Sequence, residues 1–420
     1  MPHIFEKRLV NQRSIIVKFK YLKATSIFLA YILMLMLVSC AEDVDNFLTN
    51  LDDIGTPTIT EFVSDSDFGG AEATIIGTGF STDPSQNLIT FGPNDNFGYK
   101  SVRASAATET SLTFTKPVIS AVDDSIFTEF RVSRLDASDP ERSNQLEVTF
   151  APLISTYASG FVRARSIAFD AAGDGYVAEY DTDNLRIVKV TAAGNEDYSM
   201  FPATNLRGEI EFDSNGTLWV ATAWQALYSV PQGGGDPVDT GWTGDDAGRY
   251  FKSISFDASD NLYGCLEGCS RMAPDGTGTE LALNVDNFWP GFVTTVGNGY
   301  LYWYTKSEGD GPEGFYKAPL TAGGIGTIET ILEVDPGNYW PSTIVVDTDG
   351  NIYGTGGGWG NANPSSIWKI AADGTESIVY ELGLENGWGL EFHGEYIYVA
   401  TQYEGTVLKC YMNGAVGAAR

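Results

Sequence analysis

Ser166–Val177 reads SIAFDAAGDGYV, and the same pattern returns along the rest of the chain. It recurs as EIEFDSNGTLWV from Glu209, SISFDASDNLY from Ser253 and TIVVDTDGNIY from Thr343. Weaker copies are FVTTVGNGYLY from Phe292 and LEFHGEYIY from Leu390. Each copy is an apolar strand, a polar turn and a second apolar strand. Anchoring the copies at Asp170, Asp213, Asp257, Val296, Asp347 and His393 gives spacings of 43, 44, 39, 51 and 46 residues. Six units of about 45 residues, each with room for four short strands, predict a six-bladed β-propeller over residues 152–420. A ring of blades leaves few free sheet edges, and a strand near Tyr157–Phe161 is expected to complete the closing sheet.

Upstream, residues 57–151 alternate short apolar runs with polar turns. Thr58–Val63, Glu72–Gly77, Asn87–Phe91, Ser111–Thr115, Phe127–Ser133 and Gln145–Phe150 read as strands of a small β-sandwich. Gly77 and Gly79 flank a turn that calls for positive φ. The segments PTIT from Pro57, Gly69-Gly70, ATIIGTGF from Ala73 and ITFG from Ile89 resemble an IPT/TIG domain of the immunoglobulin-like class. That resemblance implies a spacer or binding module. The propeller units resemble NHL-type repeats, with AEYDTDNLRIVKV from Ala178 the nearest copy. The expected fold class is therefore all-β.

Residues 1–39 carry six basic residues and one acidic residue, then an uncharged apolar run from Ser26 to Val38. At about 13 residues that run is short for a membrane span, which needs roughly 17–25, and it reads as a secretory signal. Leu37-Val38-Ser39-Cys40 resembles the lipobox of bacterial lipoproteins, which implies lipidation at Cys40. Residues 40–56 are acidic and polar and read as a flexible tether. Acidic residues directly behind Cys40 also resemble the export signal of Bacteroidota lipoproteins. The implied location is the outer membrane, lipid-anchored and facing the cell surface.

The chain carries 25 basic and 55 acidic residues. Removing residues 1–39 leaves 19 and 54, a charge of −35. Such a field repels nucleic acid and anionic headgroups, so nucleic-acid binding is not expected. After residue 39 there is one histidine, His393, at a turn position, which leaves no set of imidazoles for a lyase or a zinc site. Cys265 and Cys269 bracket a tight turn and are a candidate disulfide, the alternative being two small buried thiols; Cys410 reads as core. The Asp-rich turns at Asp213, Asp257 and Asp347 look superficially like calcium loops but recur where each blade needs turn residues. No metal, cofactor or catalytic residue is assigned.

One constellation remains. Ahead of the inner strands of the last three blades stand Asn287-Phe-Trp289-Pro, Asn338-Tyr-Trp340-Pro and Asn386-Gly-Trp388-Gly. The first three blades place Arg163, Arg207 and Tyr250 there. Residues leading into the innermost strand face the channel mouth, and flat aromatic faces with Asn and Arg donors suit sugars. The structural alternative is that the Trp-Pro pairs wedge blades apart. The architecture resembles surface glycan-binding lipoproteins, which implies non-catalytic binding of an extracellular glycan. Two alternatives stay open: a platform for a surface protein partner, and a metal-dependent lactonase of the gluconolactonase type. The latter would use Glu209, Asn205, Asn287, Asn338 and Asn386, but Arg163 and Arg165 stand where that family opens with an acid-Gly-Pro motif.

Overall fold

The computed structural model describes residues 56–420 except 95–97, 120–124, 138–141, 181–184, 202–207, 223–226, 242–250, 267, 282, 284–288, 307–311, 336–340, 357–365 and 383–386. The described residues form two compact units. One ends at Val118 and resumes as Phe127–Phe150; the other comprises Ile119–Ile126 and Ala151–Arg420. Both are all-β, and among the described residues no helix is long and apolar enough to cross a membrane.

The first unit is a sandwich of two four-stranded antiparallel sheets. One runs Thr58–Val63, Glu72–Thr78, Ser111–Thr115, Ala106–Ala107; the other Gly98–Arg103, Asn87–Asn94, Ile126–Arg134, Leu146–Phe150. Side chains alternate, so Ile75, Leu112 and Phe114 of one sheet meet Phe91, Phe130 and Phe150 of the other in a dry core. Phe62 lies 5.2 Å from Phe130, and Phe91 lies 6.1 Å from Phe114. The two glycines differ from expectation. Gly79 has positive φ, whereas Gly77 is needed because a Cβ there would collide with the Thr58 carbonyl oxygen.

The second unit is a propeller of six antiparallel sheets. The inner strands are Ala164–Phe169, Ile210–Phe212, Phe251–Phe256, Trp289–Gly297, Pro341–Val346 and Gly387–His393. Each touches the next, and the sixth touches the first, so the ring is closed. The last sheet takes its fourth strand, Ile154–Ser159, from the start of the unit, in register from Thr406↔Ser159 to Cys410↔Ile154. Apolar clusters lie between neighbouring blades, such as Tyr176, Ile187, Phe212 and Val220 between the first and second.

Four blades share one turn. Asp170 accepts backbone N–H bonds from Ala172 and Asp174 on Oδ1 and the Tyr176 hydroxyl on Oδ2. Asp213, Asp257 and Asp347 repeat the arrangement, with Trp219 Nε1 or the hydroxyls of Tyr263 and Tyr353 as third donor. These carboxylates cap the turn that joins two strands, which explains the recurrence of Asp without a ligand. In the fourth blade the turn is shorter. Val296 pairs with Leu301 as Val346 pairs with Ile352, so the position equivalent to Asp347 is Gly297, one residue beyond the expected Val296. Asn298 and Gly299 both have positive φ there, a two-residue hairpin that needs no carboxylate cap.

Asp347 is 1% exposed and holds its turn through several bonds. Asp347→Ala is expected to lower unfolding free energy by about 2–3 kcal/mol in urea titrations, whereas Asp349→Ala stays within about 0.5 kcal/mol. Equal effects of the two substitutions would contradict the capping role.

Candidate functional site

Five of the inner strands carry a register irregularity near their first residues, between Ala164 and Ser166, Phe251 and Ser253, Trp289 and Val293, Pro341 and Ile344, and Gly387 and Gly389. A bulge bends the strand and re-aims a side chain. Arg165, Lys252, Ser342 and Trp388 stand at the irregular position of their blades, each five residues before the turn anchor (170, 257, 347 and 393). This is how large polar groups reach the channel from strands whose neighbours are core.

A polar hub crosses the channel at this level. Glu209, from the second blade, accepts a hydrogen bond on Oε1 from the Thr343 hydroxyl of the fifth, opposite, blade. Its Oε2 accepts from Ile254 N at 3.1 Å and lies 2.6 Å from Ser253 Oγ. Ser253 Oγ also lies 2.7 Å from the Thr294 carbonyl oxygen, and it accepts from Thr294 N. One hydroxyl proton serves both oxygens, so both contacts are filled when Glu209 itself carries a proton. Desolvation pushes Glu209 up to about 7, against the opposing pull of Ser253, Thr343 and Lys252. Lys252, 8% exposed, reaches the Pro341 carbonyl at 3.4 Å. Burial lowers its ammonium to about 7, with Lys306 and Arg165 adding repulsion and Glu209 opposing.

Beyond the hub lies a cavity of about 250 Å³ lined from all six inner strands, with Glu211, Ser255, Thr295 and Glu391 among the lining groups. Residues 416–420 lie across its far end. Val416 accepts from Thr348 N, Ala418 donates to the Val346 carbonyl, and Ala419 accepts from Asn298 N. Arg420 donates to the Phe212 carbonyl and pairs with Glu211. Burial and the nearby Glu209 raise the Glu391 carboxyl.

At the opposite end, where the inner strands begin, aromatic rings and guanidinium groups alternate. Arg165 stands 4.1 Å from the Trp388 ring centroid and 5.3 Å from that of Tyr180. Arg163 stands 5.8 Å from Tyr180 and 5.9 Å from Tyr403. Behind them, buried Glu179 accepts from Val162 N and binds Arg186, which fixes the strand that presents both arginines. Such a surface can stack on a flat ring and donate to oxygens beside it.

Of the expected mouth residues, the structure brings together Arg163 and Trp388, through Arg165 and Tyr180. Arg207, Tyr250, Asn287, Trp340, Asn338 and Asn386 lie outside the described residues, as do Cys40 and Asn205; for Trp289 the backbone alone is described. Glu209, half-buried, stands directly before the second inner strand and is held by Ser253, Thr343 and Ile254. Cys265 and Cys269 are joined in a disulfide, Cα atoms 4.2 Å apart, across adjacent strands of the third blade. Cys410 is buried, and burial pushes its thiol up. His393 stacks on Phe169 at 4.3 Å. Tyr180, Tyr403, Lys252 and Lys306 were not anticipated. A larger cavity of about 970 Å³, lined by Glu280, Tyr316, Gly324, Ile328 and Glu333, belongs to the third and fourth blades.

No family model and no curated protein matches the chain. Solved structures similar to it include two auxiliary nutrient binding proteins. The one from Bacteroides thetaiotaomicron VPI-5482 is 11% identical, with a TM-score of 0.46 over 86% of this chain and 98% of that one. The one from Bacteroides ovatus ATCC 8483 is 13% identical, with a TM-score of 0.48 over the same shares. A gluconolactonase from Xanthomonas campestris is 11% identical, with a TM-score of 0.49 over 61% of this chain and 89% of its own. These are likenesses of shape, and they say nothing of ligand or chemistry.

Glu391, in the cavity beyond the hub, makes a pH-dependent contribution with a defined sign. A carboxyl raised from 4.5 gives stability that is present below pH 4.5 and lost as pH rises through the folded value. Replacing Glu391 removes that loss. Glu391→Gln is expected to gain on the order of 1 kcal/mol relative to the unmodified protein between pH 5 and pH 8, read from urea midpoints. The same difference at both pH values would show that Glu391 is not raised.

Proposed function

We propose that the protein is a non-catalytic binding protein of the cell envelope that holds an extracellular glycan at the propeller mouth. Cys40 would carry the lipid anchor and residues 40–56 the tether. Residues 57–151 would form an IPT/TIG-like spacer, and residues 152–420 an NHL-like propeller. The observation that carries this reading is the alternating surface of Trp388, Arg165, Tyr180, Arg163 and Tyr403 at the end of the channel opposite residues 416–420. Tyr403 is 52% exposed, an unusual place for a ring that serves packing alone. The expected residues Arg207, Tyr250, Trp289, Trp340, Asn287, Asn338 and Asn386 would extend the same mouth.

Binding is favoured over metal-dependent hydrolysis because Glu209, the acid that reading requires, has both carboxylate oxygens engaged by protein donors.

Titration with a panel of oligosaccharides, followed by tryptophan fluorescence, tests the reading. A binding oligosaccharide is expected to change the emission, and Trp388→Ala to weaken binding by roughly tenfold. Unchanged emission and no heat of binding across a broad panel would reject glycan binding.

A further inference from the structure

The second strands of the blades present one repeated position to the mouth. Ala178, Tyr304 and Ala400 pair with Ser166, Val293 and Gly389 of their inner strands. Two residues further on stand Tyr180, Lys306 and Gln402, which therefore correspond. Tyr180 meets Arg163 and Arg165 at the start of the first inner strand, and Lys306 lies close enough to Lys252 of the third blade to repel it. Gln402 holds the same place in the sixth blade. Its neighbour Thr401 pairs with Gly387, directly before Trp388. Its other neighbour, Tyr403, has its ring centroid 5.9 Å from the Arg163 guanidinium. Gln402 thus stands within the surface that carries the proposed function. Tyr403 is 52% exposed, but Gln402 is 6% exposed, and its Oε1 is buried with no hydrogen-bond donor among the described residues. A buried carbonyl oxygen gives up its bonds to water, and that free energy is returned only when another donor replaces them. Protein interiors leave few such oxygens, and one beside a binding surface is accounted for by a donor that the ligand brings.

We propose that Gln402 reads the glycan held at this mouth, its Oε1 accepting a hydrogen bond from one sugar hydroxyl. The inference rests on the glycan reading and adds the group that sets specificity within it. A hydroxyl carries the required proton, whereas an ionised carboxylate, a methyl ester or an acetal oxygen carries none. Position is selected as well as chemistry, because a buried side chain has little freedom to follow a hydroxyl placed elsewhere on the ring. A sugar lacking that hydroxyl leaves Oε1 unpaired in the complex, which is how a site built around a polar group rejects the analogue that lacks its partner.

The test uses the full chain and neutral hexaoses of glucose, mannose, galactose and xylose in their common linkages. The tightest binder is compared with its monodeoxy forms by isothermal titration. The titrations are run on the unmodified protein and on Gln402→Met, which keeps the side-chain length and removes the amide. One deoxygenation is expected to weaken binding to the unmodified protein roughly tenfold, and to change binding to Gln402→Met by about twofold at most. In the free protein, Gln402→Met is expected to leave the urea midpoint unchanged or higher, because it removes a polar atom that has no partner. Equal losses in both proteins, or no deoxygenation that weakens binding, overturns the inference and leaves the glycan reading standing. A lower urea midpoint shows that the amide is already satisfied within the protein and likewise overturns it. Absence of binding by every hexaose overturns both.

Discussion

The pairing of Ile154–Ser159 with Thr406–Tyr411 is the interaction on which the rest of the propeller depends. Five blades are built from consecutive chain, and each could form locally. The sixth cannot, because its outermost strand comes from the opposite end of the unit. Until that pairing forms, the first inner strand, Ala164–Phe169, has no neighbour on one side, and the cluster of Ala158, Ile167, Val177, Tyr398 and Val407 is open to water. Closing the sheet brings the sixth inner strand against the first, and that contact places Trp388 over Arg165. The ligand-facing surface is thus a product of ring closure.

A closed ring of inner strands leaves an axial space that apolar side chains do not fill. The chain fills it with polar groups instead. Glu209, Ser253 and Thr343 bridge blades across the channel, and residues 416–420 lie over the far end, with Arg420 meeting Glu211. Groups in such a setting are held by hydrogen bonds at a desolvation cost, which is why Glu209 and Lys252 both move toward neutrality. The channel is therefore a one-ended funnel whose chemistry is concentrated where the inner strands begin.

Much of this was legible in the sequence. The repeat anchored at Asp170, Asp213, Asp257 and Asp347 has a physical cause, since each Asp closes a turn that only a short acceptor side chain can cap. The fourth blade slipped by one residue because its Asn298-Gly299 hairpin removes the need for that cap. In the sandwich the Gly98–Arg103 strand escaped notice because it is an exposed edge with no apolar alternation. Arg163 and Trp388 could be placed from the repeat, but Tyr180 and Tyr403 lie outside the repeated motif and reach the mouth through sheet geometry. Lys252 was readable after the fact: it sits five residues before Asp257, as Arg165 does before Asp170. Sequence period alone does not show that a bulge turns that position into the channel.

The most direct measurement is a crystal structure of the full chain soaked with an oligosaccharide that it binds. The account predicts sugar density at the end of the channel that carries Trp388, Arg165, Tyr180, Arg163 and Tyr403. Density in the cavity between Glu280 and Glu333, with the Trp388 end of the channel empty, would contradict it.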